Sequence, residues 1–402
     1  MSLKDTLITK EENSVQFYVY KEDAQSIPSK SMKVFYNKSM ELNRDLSNLA
    51  LNSYDLLYSK KSLIVVDCMA ATGIGAIRML KDCQNIHKLY VNDINPVAIE
   101  LIKLNFRLNN INNDKISLSQ KDASLLLLEI KNKQNNGKLD VISIDPFGTP
   151  NIYMDSVFKA INKKEGLICI TATDTAVLFG VRSATCIRKY LSKPLRVEYS
   201  KEIGARILLH FISRIANINN LGISPLLTVY SNHFLRIFAL TFKNKDKISQ
   251  SFSNYGYIIH CDNCGHRQVK NIGDFILDSV CPLCKSPIKR SSYAGPLWIG
   301  KLHNELFIRQ VLQENSNLNY ANRNKIDKLL KIIILETNMP ISYYNIHQLC
   351  KKLNLSQIPK INSIINTINE LKYEATRTHF DPLSIKTNMP LNSLKNILIG
   401  SL

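Results

Sequence analysis

The sequence has no apolar run long enough to span a membrane and no apolar stretch behind a basic start that could act as a secretion signal. These absences argue against a membrane protein and a secreted one, so we expect a cytoplasmic protein. An internal repeat is also lacking. Acidic residues are scarce, since 33 Asp and Glu stand against 52 Lys and Arg and leave a formal net charge of +19. That excess favours a polyanionic partner, although a merely basic soluble protein would have the same balance.

The nine cysteines do not form the even set of a disulfide framework. Five are scattered, and four fall into two C-x-x-C pairs, Cys261 with Cys264 and Cys281 with Cys284. Residues 265–280 separate the pairs, which is the spacing of a structural four-cysteine zinc site. Four thiolates leave no open coordination position, so we expect a structural zinc ion rather than a catalytic one. The module should cover about residues 257–290.

Strand-like and helix-like segments alternate between residues 62 and 242, which predicts an α/β fold with a mostly parallel sheet covered on both faces. The last two strand candidates are joined by a short turn and should pair as an antiparallel hairpin. The strand candidates are 63–66, 88–91, 116–119, 141–144, 167–171, 226–230 and 234–242. The helix candidates between them are 75–82, 96–108, 156–162, 183–191 and 205–216.

At 402 residues the chain is long enough for two or three domains. Residues 244–254 are polar and lack periodicity, so we place a linker there, after a first domain that covers residues 1–245. Its N-terminal extension should contain an amphipathic helix over residues 40–58. The second domain, residues 246–402, contains the cysteine module and then turns helical over residues 326–336, 344–353 and 360–371. A short extended segment follows, so a winged helix and a plain helical lid are both compatible with this pattern.

Four successive candidate strands end in an aspartate, namely Asp67, Asp93, Asp122 and Asp145. Ligands of open α/β sheets bind beyond the carboxyl ends of the strands. After Asp67, small residues lead to Gly73, where a ligand can approach the backbone. A full G-x-G-x-x-G pattern is absent and an acid would repel phosphate, so a cationic amino-acid ligand such as S-adenosylmethionine fits better. Each acid alone is more often a helix N-cap, but the four together favour a cofactor site.

The positions of these acids suggest separate roles in such a site. Asp93 could accept hydrogen bonds from both ribose hydroxyls, as acids at this position do in dinucleotide sites. Asp122 and the backbone N–H of Ala123 could read the edge of an adenine ring. These roles assign the cofactor to the ends of successive strands.

The fourth acid belongs to the segment Asp145-Pro146-Phe147-Gly148, which can hold a planar amine for alkylation. The acid accepts a hydrogen from the amine, the proline fixes the turn, and the aromatic ring offers a stacking face. An ordinary Asp-Pro turn is the alternative interpretation of the segment, and core packing is the alternative role of Phe147.

The sequence resembles the tRNA (guanine-26-N2)-dimethyltransferase family in motifs that run nearly from end to end. The motifs are Phe35-Tyr-Asn37, Met40-Glu-Leu-Asn-Arg-Asp45, Ala71-Thr-Gly-Ile74, Asp145-Pro-Phe-Gly148, Thr171-Ala-Thr-Asp-Thr-Ala176, Gly295-Pro-Leu-Trp298 and Arg377-Thr-His-Phe380. The resemblance implies a Rossmann-like class I methyltransferase domain followed by a smaller tRNA-binding domain with a zinc ribbon. It also implies S-adenosylmethionine as cofactor, tRNA as partner and N2,N2-dimethylguanosine as product.

The resemblance further implies cofactor contacts at Arg44, Arg78, Asp93, Asp122 and Ala123. The guanidinium group of Arg44 would match the methionine carboxylate of the cofactor. Catalysis would fall to Asp145, the Pro146 carbonyl and Phe147. In this sequence a glycine stands at position 75, where the family commonly has an arginine, which affects the assignment around Arg78.

Two other functions remain compatible with the residues themselves. The first is an amino-methyltransferase acting on adenine or cytosine in another RNA or in DNA. The second is a non-enzymatic, zinc-containing protein that binds nucleic acid through charge alone, although such a protein would not need Asp93 and Asp122. A nicotinamide oxidoreductase is disfavoured by the short glycine pattern and the basic charge. Nothing in the sequence indicates an obligate protein partner.

Overall fold

The first described element is an antiparallel hairpin that the sequence did not predict, formed by β1 (Leu7–Glu12) and β2 (Val15–Tyr20). The computed structural model describes residues 6–24, 29, 31–111, 114–133 and 139–400. A short helix, α1 (Lys21–Ala24), follows the hairpin. The predicted amphipathic helix is confirmed as α2 (Glu41–Tyr58), whose apolar face is buried.

A seven-stranded sheet forms the centre of the molecule. Its strands are β3 (Leu63–Asp67), β4 (Ile86–Asn92), β5 (Ile116–Ser119), β6 (Val141–Ile144), β7 (Leu167–Ala172), β8 (Gly222–Ser231) and β9 (Phe234–Phe242). They lie in the order β5-β4-β3-β6-β7-β9-β8. The first five are parallel neighbours, while β9 pairs antiparallel with both β7 and β8. The prediction of a mostly parallel sheet with a terminal antiparallel hairpin is confirmed.

Helices connect these strands. They are α3 (Ile74–Asp82), α4 (Pro96–Leu108), α5 (Ala123–Lys133), α6 (Met154–Ala160), α7 (Thr175–Leu178), α8 (Ser183–Tyr190) and α9 (Ser200–Ile218). Adjacent residues of β3 point to opposite faces, because Val65 and Val66 belong to two different hydrophobic clusters. The sequence missed α5, since its run of four leucines gives no clear helical period.

The rest of the chain combines two small sheets with helices. A short helix α10 (Lys245–Gln250) occupies the predicted linker. The first sheet consists of β10 (Tyr255–His260), β11 (Arg267–Asn271) and β12 (Tyr293–Trp298). The helices α11 (Glu305–Asn317) and α12 (Arg323–Glu336) come next. The last elements are β13 (Tyr344–Asn345), α13 (Ile346–Lys352), α14 (Ile361–Glu370), β14 (Ala375–Arg377), β15 (Ser384–Thr387) and α15 (Leu391–Gly400).

The hydrophobic core continues across the predicted boundary at residues 245 and 246. Phe307 and Ile308 of α11 and Ile326 of α12 join the cluster that contains Leu46 and Leu49 of α2. On the other face, β12 packs against α9 through Ala294 and neighbouring apolar residues. The two-domain division and the winged-helix arrangement therefore stay predictions. Within the described ranges, no helix is both long and apolar enough to cross a bilayer.

Candidate functional site

A cavity of about 230 Å³ opens at the carboxyl ends of β3, β6 and β7. The N-terminal half of α2 and the segment that contains Phe35 form its opposite wall. Parallel strands bring their carboxyl ends to one edge of a sheet, which explains why Asp67 and Asp145 both line this cavity. The structure brings these two strand-end acids together, and their roles in a cofactor or substrate site stay predictions.

Asp145 is half-buried and is held by side chains from two other elements. The amide nitrogen of Asn43, on α2, donates to Asp145 Oδ2 at 3.1 Å and lies 3.5 Å from Thr171 Oγ1. Burial raises the pKa of Asp145, while Arg236, the hydrogen bond of Thr171 and Arg44 act in the opposite direction. The hydrogen bonds thus fix the orientation of this carboxylate, and the three opposing groups offset only part of the rise in its pKa.

Arg236, on β9, is a fully buried guanidinium that lines the same cavity. It donates to Thr171 Oγ1 at 2.7 Å and to Ser47 Oγ at 2.9 Å. Within the described part of the chain no carboxylate lies close enough to form an ion pair with it. A buried cation without an ion-pair partner is costly for the fold. Arg236 lowers the pKa of both Asp145 and Asp67, and this effect on the two acids gives the buried charge a functional role. No local sequence pattern marks Arg236 as part of the site.

Asp67 ends β3 and is 8 % exposed. Burial and the neighbouring charge of Asp145 raise the pKa of Asp67 to about 7, against smaller opposing effects of the Met69 backbone and of Arg236. A group that brings a positive charge to Asp67 would stabilise its ionised form.

The turn after β3 provides close access to the backbone. Gly73 has φ +79°, and a Cβ at this position would lie 3.1 Å from Ile102. The carboxylate of Asp93 accepts hydrogen bonds from the N–H groups of Ala71 at 2.8 Å and Asn95 at 2.9 Å. Asp93 therefore fixes the turn, and it lies outside the lining of the cavity.

Asp122 and Ala123 lie at the carboxyl end of β5, also outside the lining of the cavity. Asp122 Oδ1 accepts hydrogen bonds from the N–H groups of Ser124 at 2.9 Å and Leu125 at 3.1 Å, which is the geometry of an N-cap of α5. Because β5, β4 and β3 are neighbours, the acids Asp122, Asp93 and Asp67 form a row that continues the cavity along the sheet edge.

Arg44 and Arg78 meet at a buried acid, Glu12 of β1, which no local sequence pattern marks as part of the site. Arg44 Nε donates to Glu12 Oε2 at 2.9 Å, and Arg78 Nη1 lies 3.4 Å from the same oxygen. Arg44 lines the cavity, whereas Arg78 is fully buried, also pairs with Asp45, and does not line it. The structure thus places Arg44 at the site and Arg78 behind it.

The aromatic ring of Phe147 is not part of the core, because the residue is 42 % exposed. It meets Phe35 edge-on, with 4.2 Å between the ring centroids. Pro146 is buried beside it, and Gly148 has φ +96°, a backbone conformation that favours glycine. The N–H of Gly148 donates to Thr173 Oγ1 at 2.7 Å, which pins the turn to the end of β7. Two aromatic rings therefore stand at the mouth of the cavity.

The four cysteines of the two C-x-x-C pairs come together, with their sulfur atoms within 4.8 Å of one another. The Sγ atoms of Cys261 and Cys284 are 3.6 Å apart, and those of Cys264 and Cys281 are 3.7 Å apart. A tetrahedral zinc ion with Zn–S bonds of about 2.3 Å requires sulfur separations of about 3.8 Å. The arrangement is consistent with a structural zinc site.

A second group of ligand-type side chains, His303, Glu336 and His379, lies near α12. The backbone N–H of Thr228 donates to His303 Nδ1 at 3.3 Å, so the proton of a neutral His303 lies on Nε2. That nitrogen faces Glu336 Oε1 at 3.8 Å as a donor, and His379 contacts the same oxygen. This tautomer leaves His303 Nε2 without a lone pair for a metal ion, so the group is a hydrogen-bonded cluster.

Comparisons with known proteins agree over nearly the whole chain. The family model of the N2,N2-dimethylguanosine tRNA methyltransferases matches residues 15–399. A tRNA (guanine(26)-N(2))-dimethyltransferase of Methanosphaera stadtmanae is 36% identical over 377 residues, which cover 94% of this chain and 93% of the relative. A tRNA (guanine(26)-N(2)/guanine(27)-N(2))-dimethyltransferase of Aquifex aeolicus is 34% identical and covers 90% and 88%. The structure of Trm1 from Pyrococcus horikoshii with S-adenosyl-L-methionine superposes with a TM-score of 0.82 at 30% identity, covering 97% of this chain and 99% of that one.

Proposed function

The chain belongs to the N2,N2-dimethylguanosine tRNA methyltransferase family, and from this premise we propose that it transfers two methyl groups from S-adenosylmethionine to N2 of guanine 26 in tRNA. The observation that carries the proposal is the cavity in which Asp145, Asp67 and the ring of Phe147 converge. The amine of a flipped guanine would lie against Asp145, and the cofactor would lie against Asp67.

The residues of the site fit S-adenosylmethionine. The buried carboxylate of Asp67 suits its ammonium group, and Asp93 and Asp122 at the next two strand ends suit its ribose and adenine, with the N–H of Ala123. Arg44 would bind its carboxylate through Nη1, since Nε and Nη2 already donate to Glu12. The turn at Gly73 lets the ligand approach the backbone, and Arg78 supports Arg44 through their shared acid.

We expect S-adenosylhomocysteine to stabilise this protein, and to do so more strongly at pH 8 than at pH 6. The folded-state pKa of Asp67 is raised from 3.8 to about 7, so its contribution to stability is lost as the pH rises through that range. A bound ammonium group pairs with the ionised carboxylate and restores the loss. Thermal unfolding with and without ligand at both pH values measures the effect. Asp67→Asn should remove the pH dependence of the stabilisation, whereas Asp155→Asn, which changes an exposed acid, should keep it. The same pH dependence of the ligand-induced stabilisation in the wild type and both variants would contradict this role of Asp67.

The bound cofactor would supply an electrophilic methyl group on its sulfonium sulfur. When the amine attacks the methyl carbon, the methyl–sulfur bond breaks and the rest of the cofactor leaves as a thioether. Asp145 and the Pro146 carbonyl would accept the two amine hydrogens and so aim the nitrogen lone pair at the methyl carbon. One N–H proton leaves the alkylated nitrogen, and Asp145 is placed to accept it. Phe147, with Phe35, would hold the flipped base by stacking. After the first transfer one N–H remains, which permits the second.

The direct test incubates the protein with unmodified tRNA and labelled cofactor and then identifies the methylated nucleoside. We expect N2,N2-dimethylguanosine at position 26. Because the Aquifex aeolicus relative also acts on guanine 27, both positions should be mapped. Label on adenine or cytosine would favour the alternative amino-methyltransferase activity. Binding of tRNA without any methyl transfer would favour a non-enzymatic binding protein.

We also infer that the four-cysteine cluster holds one structural zinc ion in a zinc ribbon and that residues 246–402 form the tRNA-binding part. This part includes a winged helix made of α12, α13, α14, β14 and β15. Charge and the order of the helices before an antiparallel pair of strands support this assignment.

Metal analysis of the purified protein should find one zinc ion per chain. Cys264→Ala should abolish zinc binding and lower the melting temperature, because the remaining three thiolates cannot complete the shell. Cys350→Ala, a buried cysteine on α13 outside the cluster, should keep the ion. Absence of zinc from folded wild-type protein, or four freely titrating thiols, would refute the assignment.

A further inference from the structure

Residues 175–197, which we call the basic segment, have five Lys and Arg residues and no acidic residue. The segment includes α7 and α8 and begins just beyond the carboxyl end of β7. It therefore lies at the sheet edge where the cavity opens. Its net charge of +5 follows from the sequence, since no carboxylate within the segment offsets it.

The basic segment is bound directly to the loop that carries Phe147. Asn151 donates to the carbonyl oxygen of Lys189 at 2.7 Å, and the hydroxyl groups of Thr149 and Tyr190 are 3.1 Å apart. The other end of the segment returns to its start, because a Cβ on Gly180 would lie 3.3 Å from the nitrogen of Arg196. The segment therefore forms one continuous surface beside the mouth of the cavity.

Three arginines of this surface, Arg182, Arg188 and Arg196, are exposed and form no ion pair with any described residue. The two lysines are less free: Lys189 lies 4.0 Å from Asp174, and Lys193 is placed over the ring of Tyr293 at 3.9 Å. Arginine forms bidentate hydrogen bonds with phosphate. The three free guanidinium groups thus present phosphate-binding chemistry to the solvent.

We propose that Arg182, Arg188 and Arg196 bind the phosphates of the tRNA strand that flank the flipped guanine. This proposal rests on the proposed function and assigns part of its substrate surface. A base that enters the cavity leaves its own backbone at the mouth, and a cationic surface there neutralises the adjacent phosphates. Exposed apolar side chains of the same segment, Val181, Ile187 and Leu191, offer contact area for the sugar and base faces between the phosphates. Phosphate contacts of this kind position the strand and carry no sequence information.

The test compares the binding of unmodified tRNA by the wild type and by the Arg182→Ala, Arg188→Ala, Arg196→Ala triple variant over a range of salt concentrations. We expect the triple variant to bind at least about tenfold more weakly near physiological salt. The slope of log affinity against log salt should fall in magnitude by about 2 to 3, since each lost phosphate contact removes about 0.7 to 0.9. For the substrate tRNA the loss should appear in KM, and the loss of binding affinity should be equal for a tRNA with adenine at position 26.

The matched control removes three exposed lysines from the opposite sheet edge, Lys133, Lys163 and Lys164. Lys133 is the last residue of α5, and Lys163 and Lys164 precede β7, so all three lie near the amino ends of the parallel strands. This control has the same net charge as the triple arginine variant. A purely nonspecific charge effect would weaken binding equally in both, and that result would overturn the proposal, as would an unchanged salt slope in the arginine variant.

Two further measurements keep the result interpretable. Replacement of the same three arginines by lysine should restore most of the salt slope, because the three positive charges return. The recovery should be incomplete, because lysine cannot form the bidentate hydrogen bonds of arginine. Stabilisation by S-adenosylhomocysteine should persist in the alanine variant, because the cofactor residues are untouched. Should the alanine variant fail to fold, the three single variants decide, each with an expected slope change of about 1. If the wild type does not methylate guanine N2, the proposed function fails; if it does and the arginines have no effect, only this inference fails.

Discussion

Asp145→Ala is expected to lower the rate of methyl transfer by about a thousandfold or more while cofactor binding persists. General-base and orientation effects of a single carboxylate are each worth about 10² to 10⁴ in rate. The cofactor should still bind because Asp67 remains. The pKa of Asp67 should fall toward its usual range in this variant, since the charge of Asp145 is one of the causes that raise it. Single-turnover transfer to tRNA and thermal stabilisation by S-adenosylhomocysteine measure the two properties separately.

The matched control for this variant is Asp155→Ala, an exposed acid ten residues along the chain that pairs with Lys159. It should retain full activity. Asp145→Asn preserves the shape of the side chain and tests whether the negative charge or only an acceptor atom is needed. Near-normal turnover in Asp145→Ala would remove Asp145 from the mechanism, whereas loss of both transfer and ligand binding would indicate a disturbed cavity.

The sheet was predictable because the pattern that defines it is local. The central strands β6 and β7 are apolar along most of their length, and helices follow most strands of the sheet, so the alternation is visible in the sequence. The strand-end acids were predictable for the same reason, since an acid that follows an apolar strand lies at the carboxyl edge. The cluster of four cysteines was predictable from the spacing of the two C-x-x-C pairs alone.

The charges that support the site were not predictable from local patterns. Glu12 lies in a hairpin 32 residues before Arg44 and 66 before Arg78, and no spacing rule connects them. Arg78 looks like a surface arginine on an amphipathic helix, but the hairpin buries it. For Asp122 the local pattern fits two roles at once. Its position after a strand fits an acid that binds the cofactor, while one of its oxygens caps a helix. Only the three-dimensional fold distinguishes these roles.

Arg236 gives the second large expected effect, and its reason is electrostatic. It lowers the pKa of both Asp145 and Asp67 from within the cavity wall, although it forms an ion pair with neither. In Arg236→Met both carboxylates should bind their protons more tightly. We expect the acid limb of the pH–rate profile to move to higher pH, and the rate at a pH on that limb to fall by about tenfold for each pKa unit of the shift.

This loss should be partly recovered at pH 9, which separates an electrostatic role from a structural one. Replacement of an unpaired buried cation by an apolar side chain of similar size need not destabilise the fold, so the melting temperature should change little. Arg236→Lys keeps the charge and should keep the acid limb near its wild-type position. Arg206→Met provides the contrast: it leaves Glu202, its buried ion-pair partner, with Lys386 alone, so it should lower stability without moving the acid limb. An acid limb that stays in place in Arg236→Met would show that the strand-end acids keep their ionisation without this guanidinium.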